Sequence, residues 1–138
     1  MNDMNYVIFS IDNVHDLHTL SKFLHHVDVQ RAMQRMQGDM KLCIGAYKGV
    51  LEQSFIMTEH DFALFIEGGE FLQGQESVLL IEEGHKGKTY ASLHYLSGGV
   101  CDGEHVSLGL LKSVDKSVAL AQDAWTYRPD LNIYWITE

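Results

Sequence analysis

The chain has 138 residues, enough to close one hydrophobic core but not two, so a single domain over residues 1–138 is expected. Apolar residues make up 46% and charged residues 21%, which excludes a disordered chain. The formal net charge is −9, from 10 Lys+Arg against 19 Asp+Glu, and no basic run exists to track a phosphate backbone, which argues against nucleic acid and weakly favours a cationic ligand. No stretch approaches the roughly 20 apolar residues of a membrane span, and the first residues hold no basic leader. A cytoplasmic protein is therefore expected, with Cys43 and Cys101 as free thiols.

In chain order, residues 5–11 are β-branched and aromatic on both faces, the pattern of a buried strand. Asp12 and Asn13 offer N-caps for one long helix carrying Leu17, Leu20, Leu24, Val27, Met33 and Met36, with Gly38 as its stop. The runs MKLCIGAY and VLEQSFIM meet at Lys48-Gly49, where glycine suits a tight hairpin. Thr58 with Asp61 three positions on resembles a helix cap, although Gly68-Gly69 weakens that helix. SVLLIEE and KTYASLHYL flank a polar turn and read as a second hairpin. After the glycine-rich SGGVCDGE loop come a strand at HVSLGLLKSV, a short helix over DKSVALAQDAW capped near Asp115, and a closing strand at NIYWIT.

The order β-α-β-β-α-β at the start points to an α/β sandwich, with a ferredoxin-like, mostly antiparallel sheet and helices on one face. Strands that are apolar on both faces then need a cover for the bare face, and self-association is the usual way for a small domain to supply one. A homo-oligomer is expected on this ground.

Among groups that carry chemistry, His15 and His18 lie three apart on the first helix, with His25 and His26 two turns on, but nothing completes a metal site and a solvated polar face weighs more. GxSxG, GxxxxGK[ST] and GxGxxG are all absent, which leaves a hydrolase elbow, a Walker loop and a dinucleotide turn unsupported. Glu52 sits just after a tight turn, near Tyr47 across the hairpin, and Gln75-Glu76 lead into a strand. Polar groups at strand ends are where sites form, although by spacing alone an ordinary surface position weighs more for each.

The strings Tyr6-Val7-Ile8-Phe9-Ser10, Gly45-Ala46-Tyr47-Lys48 followed by Glu52, Gln75-Glu76-Ser77-Val78-Leu79-Leu80 and Leu93-His94-Tyr95 occur in this order over about the first two thirds of the chain. Together they resemble the small phage-encoded S-adenosylmethionine-degrading enzymes, formerly described as hydrolases and now understood as lyases. The resemblance implies a homotrimer of GlnB-like α/β sandwiches, similar to PII-like signalling proteins, with active sites between subunits and neither cofactor nor metal. It implies that Glu52 is the active-site glutamate and Gln75 the active-site glutamine, with Ser10 and Tyr47 near the nucleoside. It further implies breakdown of S-adenosylmethionine to methylthioadenosine and homoserine lactone in a host cytoplasm, disarming restriction and modification. Two other readings stand beside it: a non-catalytic PII-like module that binds a nucleotide and regulates a partner, and an inhibitor acting by surface charge alone.

Overall fold

The computed structural model describes residues 5–67, 71–84, 87–96 and 104–138. The Gly68-Gly69 pair, most of the SGGVCDGE loop and Cys101 lie outside these residues. In chain order the elements are β1 (Tyr6–Phe9), α1 (Leu17–Leu24), α2 (Val27–Gln34), β2 (Lys41–Tyr47), β3 (Val50–Thr58), α3 (Glu59–Glu67), β4 (Ser77–Glu83), β5 (Thr89–Tyr95), β6 (His105–Val114), α4 (Lys116–Leu120), β7 (Ala124–Arg128) and β8 (Ile133–Thr137).

The strands do not form an open sheet. They close into an antiparallel barrel in the order β1-β3-β2-β7-β8-β6-β5-β4, with β4 paired back onto β1. This corrects the expected ferredoxin-like, GlnB-like sandwich, and the physical reason is one strand. The segment AWTYR is strand β7 rather than the end of a helix, and it pairs with β2 on one side and β8 on the other. An open sheet would leave β2 as an edge; β7 removes that edge, as closure does in barrels generally.

Closure also explains why the strands are apolar on both faces. Val7, Phe9, Phe55, Met57, Val78 and Leu80 point outward from β1, β3 and β4, beneath Val29 and Ala32 of α2 and Phe62 and Phe65 of α3. The Phe9 ring lies 5.0 Å from Phe62, 5.9 Å from Phe65 and 6.1 Å from Phe55. The alternate residues Ile8, Cys43, Ile56 and Ile81 meet in the lumen, with Tyr6, Leu79, Leu111 and Trp135 against them. The bare face that called for a partner is thus the lumen, and it is covered by the opposite wall of the same chain.

Local chemistry sets the turns. Lys48 and Gly49 take φ of 50° and 82°, the positive values of a tight two-residue hairpin. Gly109, at φ 102°, marks the shift of register between β5 and β6, and a Cβ there would fall 2.1 Å from the Glu138 carbonyl oxygen, so the position requires glycine.

The expected single long helix is two short ones. The helix cap is Asp16 rather than Asp12 or Asn13: its carboxylate accepts from the Thr19 backbone N–H while the Thr19 hydroxyl accepts from the Asp16 N–H, a capping box. α1 ends at His25 and α2 begins at once, with the His26 ring accepting from the Asp28 N–H. The Thr58 hydroxyl does cap α3, accepting from the Asp61 N–H at 3.2 Å. The Asp61 carboxylate, fully buried, turns instead to the loop after α2, where it accepts from the backbone of Gln37 at 2.9 Å and of Gly38 at 2.8 Å.

Candidate functional site

Because the strands are antiparallel and in register, the C-terminal end of β1, the β2–β3 hairpin and the start of β4 lie at one end of the barrel. Ser10, Tyr47, Glu52 and Gln75 all fall there. Glu52 pairs with Gly45 and Ser54 with Cys43. Cys43 faces the lumen, so by alternation Glu52 and Ser54 share that face, at the mouth and just inside it. Gly45 opposite Glu52 contributes no side chain and keeps the space beside the carboxylate open.

The structure brings Ser10 and Glu52 into direct contact, the Ser10 hydroxyl donating to Glu52 Oε1 at 2.6 Å. That bond takes the better part of the single hydroxyl proton, leaving a longer contact to the Gln53 carbonyl at 3.3 Å, so at the Ser54 contact of 3.3 Å it is Ser54 that donates. The result is a short relay, Ser54 to Ser10 to Glu52, anchored in a half-dry wall and ending on an exposed carboxylate. Glu52 forms no ion pair among the described residues, so its charge and its second oxygen remain available to a ligand.

Gln75 is not in that chain of bonds. Its side-chain Nε2 donates to Asp12 Oδ1 at 3.1 Å, while the same carboxylate accepts from the Gly74 backbone at 2.9 and 3.0 Å. With its NH2 group held by Asp12, Gln75 has a carbonyl oxygen without a partner among the described residues, an acceptor for a donor-bearing ligand. Tyr47 stands apart at the hairpin tip, 62% exposed, with the Lys48 ammonium 5.2 Å from its ring centroid.

Two participants, Ser54 and Asp12, escaped the sequence reading. Ser54 shares a strand face with Glu52 two residues away, a signal that was present; Asp12 lies 62 and 63 residues from its partners, and nothing local announces that pairing. The histidines do not assemble a metal site: among the described residues no three His, Cys, Asp or Glu side chains converge to hold an ion. Further into the wall, burial pushes the Cys43 thiol up to about 12, despite the opposing influence of Arg128.

The fold and this mouth define a class, a small antiparallel β-barrel that presents a serine-bound carboxylate and an oriented amide at one open end. The model of the S-adenosylmethionine lyase family matches residues 13–138, and the chain belongs to that family. The family's name denotes a lyase acting on S-adenosylmethionine. Tyr47, Glu52 and Gln75 fall within the matched region, whereas Ser10 precedes it. No curated protein matches the chain. No helix among the described residues is long and apolar enough to cross a membrane.

Proposed function

We propose that the chain, acting as one unit over residues 1–138, cleaves S-adenosylmethionine at the Glu52 mouth by intramolecular cyclisation. A substrate carboxylate oxygen attacks the γ-carbon, the carbon–sulfur bond breaks, and its electron pair returns to sulfur. The products are 5′-methylthioadenosine and L-homoserine lactone, with no water, metal or cofactor consumed. Since the leaving group is already a sulfonium, catalysis reduces to holding the methionine arm folded on itself, where orientation is worth ~7–11 kcal/mol. Charge is lost as the ring closes, so removal of water favours the transition state over the zwitterionic reactant.

The observation that carries this reading is the 2.6 Å bond from Ser10 to Glu52, which orients a carboxylate with one oxygen free. That oxygen suits the α-ammonium group or the ribose hydroxyls; against sulfur it would stabilise the reactant instead. The Gln75 carbonyl is a second acceptor, and the exposed Tyr47 ring offers a face for the adenine. A trimer with sites between subunits would dry this mouth, and the exposed Tyr47, Val50 and Leu51 around the hairpin tip favour such a contact. In an infected host cytoplasm the reaction would deplete the methyl donor of restriction and modification systems. A PII-like regulatory module fits less well, because it needs a long loop where Lys48-Gly49 makes a two-residue turn.

The test is to follow S-adenosylmethionine with purified protein by NMR, without added metal. Methylthioadenosine with homoserine lactone is the expected outcome, slowed about 10- to 100-fold by Glu52→Gln, the usual worth of one hydrogen bond to a charged group. Homoserine appearing before its lactone would make the enzyme a hydrolase, and an unchanged substrate would remove the catalytic reading.

A further inference from the structure

The other end of the lumen holds a cavity of about 560 Å³, inside the range of small-molecule sites. Its polar and aromatic lining comprises Tyr6, Glu83, Thr89, Ser113, Arg128 and Trp135. Glu83 pairs with Thr89 across β4 and β5, and Ser113 with Trp135 across β6 and β8, so each pair lies side by side on the lumen face of neighbouring strands. The buried cluster of Ile8, Cys43, Ile56 and Ile81 lies between this cavity and the Ser10–Glu52 mouth.

The charges here are unequal. Arg128 is spent: it donates to Asp130 at 3.1 Å from Nε and 2.5 Å from Nη2, both side chains are mostly buried, and the guanidinium sits 5.4 Å from the Trp135 ring centroid. A bidentate pair of this kind neutralises the arginine and clamps the indole in place. The Glu83 side chain makes neither an ion pair nor a hydrogen bond with another described residue. Among the described residues the cavity therefore carries one carboxylate without a charged partner, beside an indole and a phenol ring, with Thr89 and Ser113 on the neighbouring strands β5 and β6. Carboxylate and aromatic faces together are what an organic cation uses.

We propose that this far mouth is a second ligand site, separate from the Glu52 mouth, that takes a small organic cation, an ammonium or sulfonium on a polar body. Substrate and free amines share that chemistry, and two probes tell them apart. Trp135 is isolated as a fluorescent reporter by Trp125→Phe, and the protein is titrated with choline chloride and, in a Glu52→Gln background, with S-adenosylmethionine, each against sodium chloride at equal ionic strength. Saturable quenching by choline, weakened about tenfold or more by Glu83→Gln, supports a general cation site. A Trp135 response to S-adenosylmethionine alone, with the same Glu83 dependence, supports the site and makes the substrate its occupant. Ser113→Leu, which fills the cavity without touching the charge, should weaken either probe equally, and thermal melts show that the variants are folded. No saturable response beyond that of sodium chloride, or a response unchanged by both Glu83→Gln and Ser113→Leu, would overturn the proposal.

Discussion

Asp12 shows how one residue can set the chemistry of another without meeting a ligand. Its carboxylate holds the Gly74 backbone and the Gln75 amide together, and thereby decides which end of that amide is free. Asp12→Ala should therefore raise KM for S-adenosylmethionine about 3- to 10-fold with a smaller loss in kcat, as expected when a binding group is released. Steady-state kinetics check this; equal KM would mean Gln75 does not bind substrate. A second consequence belongs to Cys43, whose thiol burial pushes up to about 12 from an ordinary value near 9. The folded state holds the proton more tightly than the unfolded state, so the stabilisation is fully present below pH 9 and is lost as pH rises towards 12. Relative to Cys43→Ala, the wild type should lose about 1.4 kcal/mol of stability for each pH unit above 9, read from urea melts at pH 8 and pH 10. A constant difference between the two proteins would place the thiol in water.

Among elements, the α2–α3 junction depends on a single carboxylate. Asp61 is buried, yet from within α3 it satisfies two backbone N–H groups, those of Gln37 and Gly38, in the turn that follows α2. Asp61→Ala takes the acceptor from both N–H groups and leaves a buried position empty, and should cost about 1–3 kcal/mol, visible as a lower urea midpoint. Asp61→Asn keeps one acceptor oxygen and should cost less. At this scale the sequence was readable where the signal is local: the Lys48-Gly49 hairpin, the Thr58 cap and the apolar strand runs follow from residues within a few positions of one another. It misled where two local signals compete. ALAQDAW carries helical spacing into Trp125, but the alternation of Trp125 and Tyr127 belongs to a strand, and pairing on both edges decided for the strand. Likewise, the leucines and methionines after Asp12 keep helical spacing through His25-His26, although caps at Asp16, His25 and His26 divide the segment in two.

For the molecule as a whole, the assignment of β7 changes the architecture, and that choice is open to measurement. In an open sheet β2 would be an edge, with alternate amides bonded only to water. In the closed barrel β2 has β3 on one side, over Lys41–Tyr47, and β7 on the other, where Ile44 to Tyr47 meet Tyr127 to Ala124. Candidate-site geometry depends on the same closure, because Gly45, Glu52 and Ser54 can line a mouth only if their face looks into a lumen. Hydrogen exchange followed by NMR should therefore find both alternating sets of amides over residues 44–47 protected, within about tenfold of one another, as cooperative units exchange together. Thr126→Pro, which removes one donor from β7 and strains its strand, should selectively expose the β7-facing set while the amides of α2 and α3 stay protected. If instead one alternating set in the wild-type protein already exchanges at the rate of an unpaired edge, the barrel is open at β2, and the mouth that gathers Ser10 and Glu52 would need a partner subunit to complete its wall.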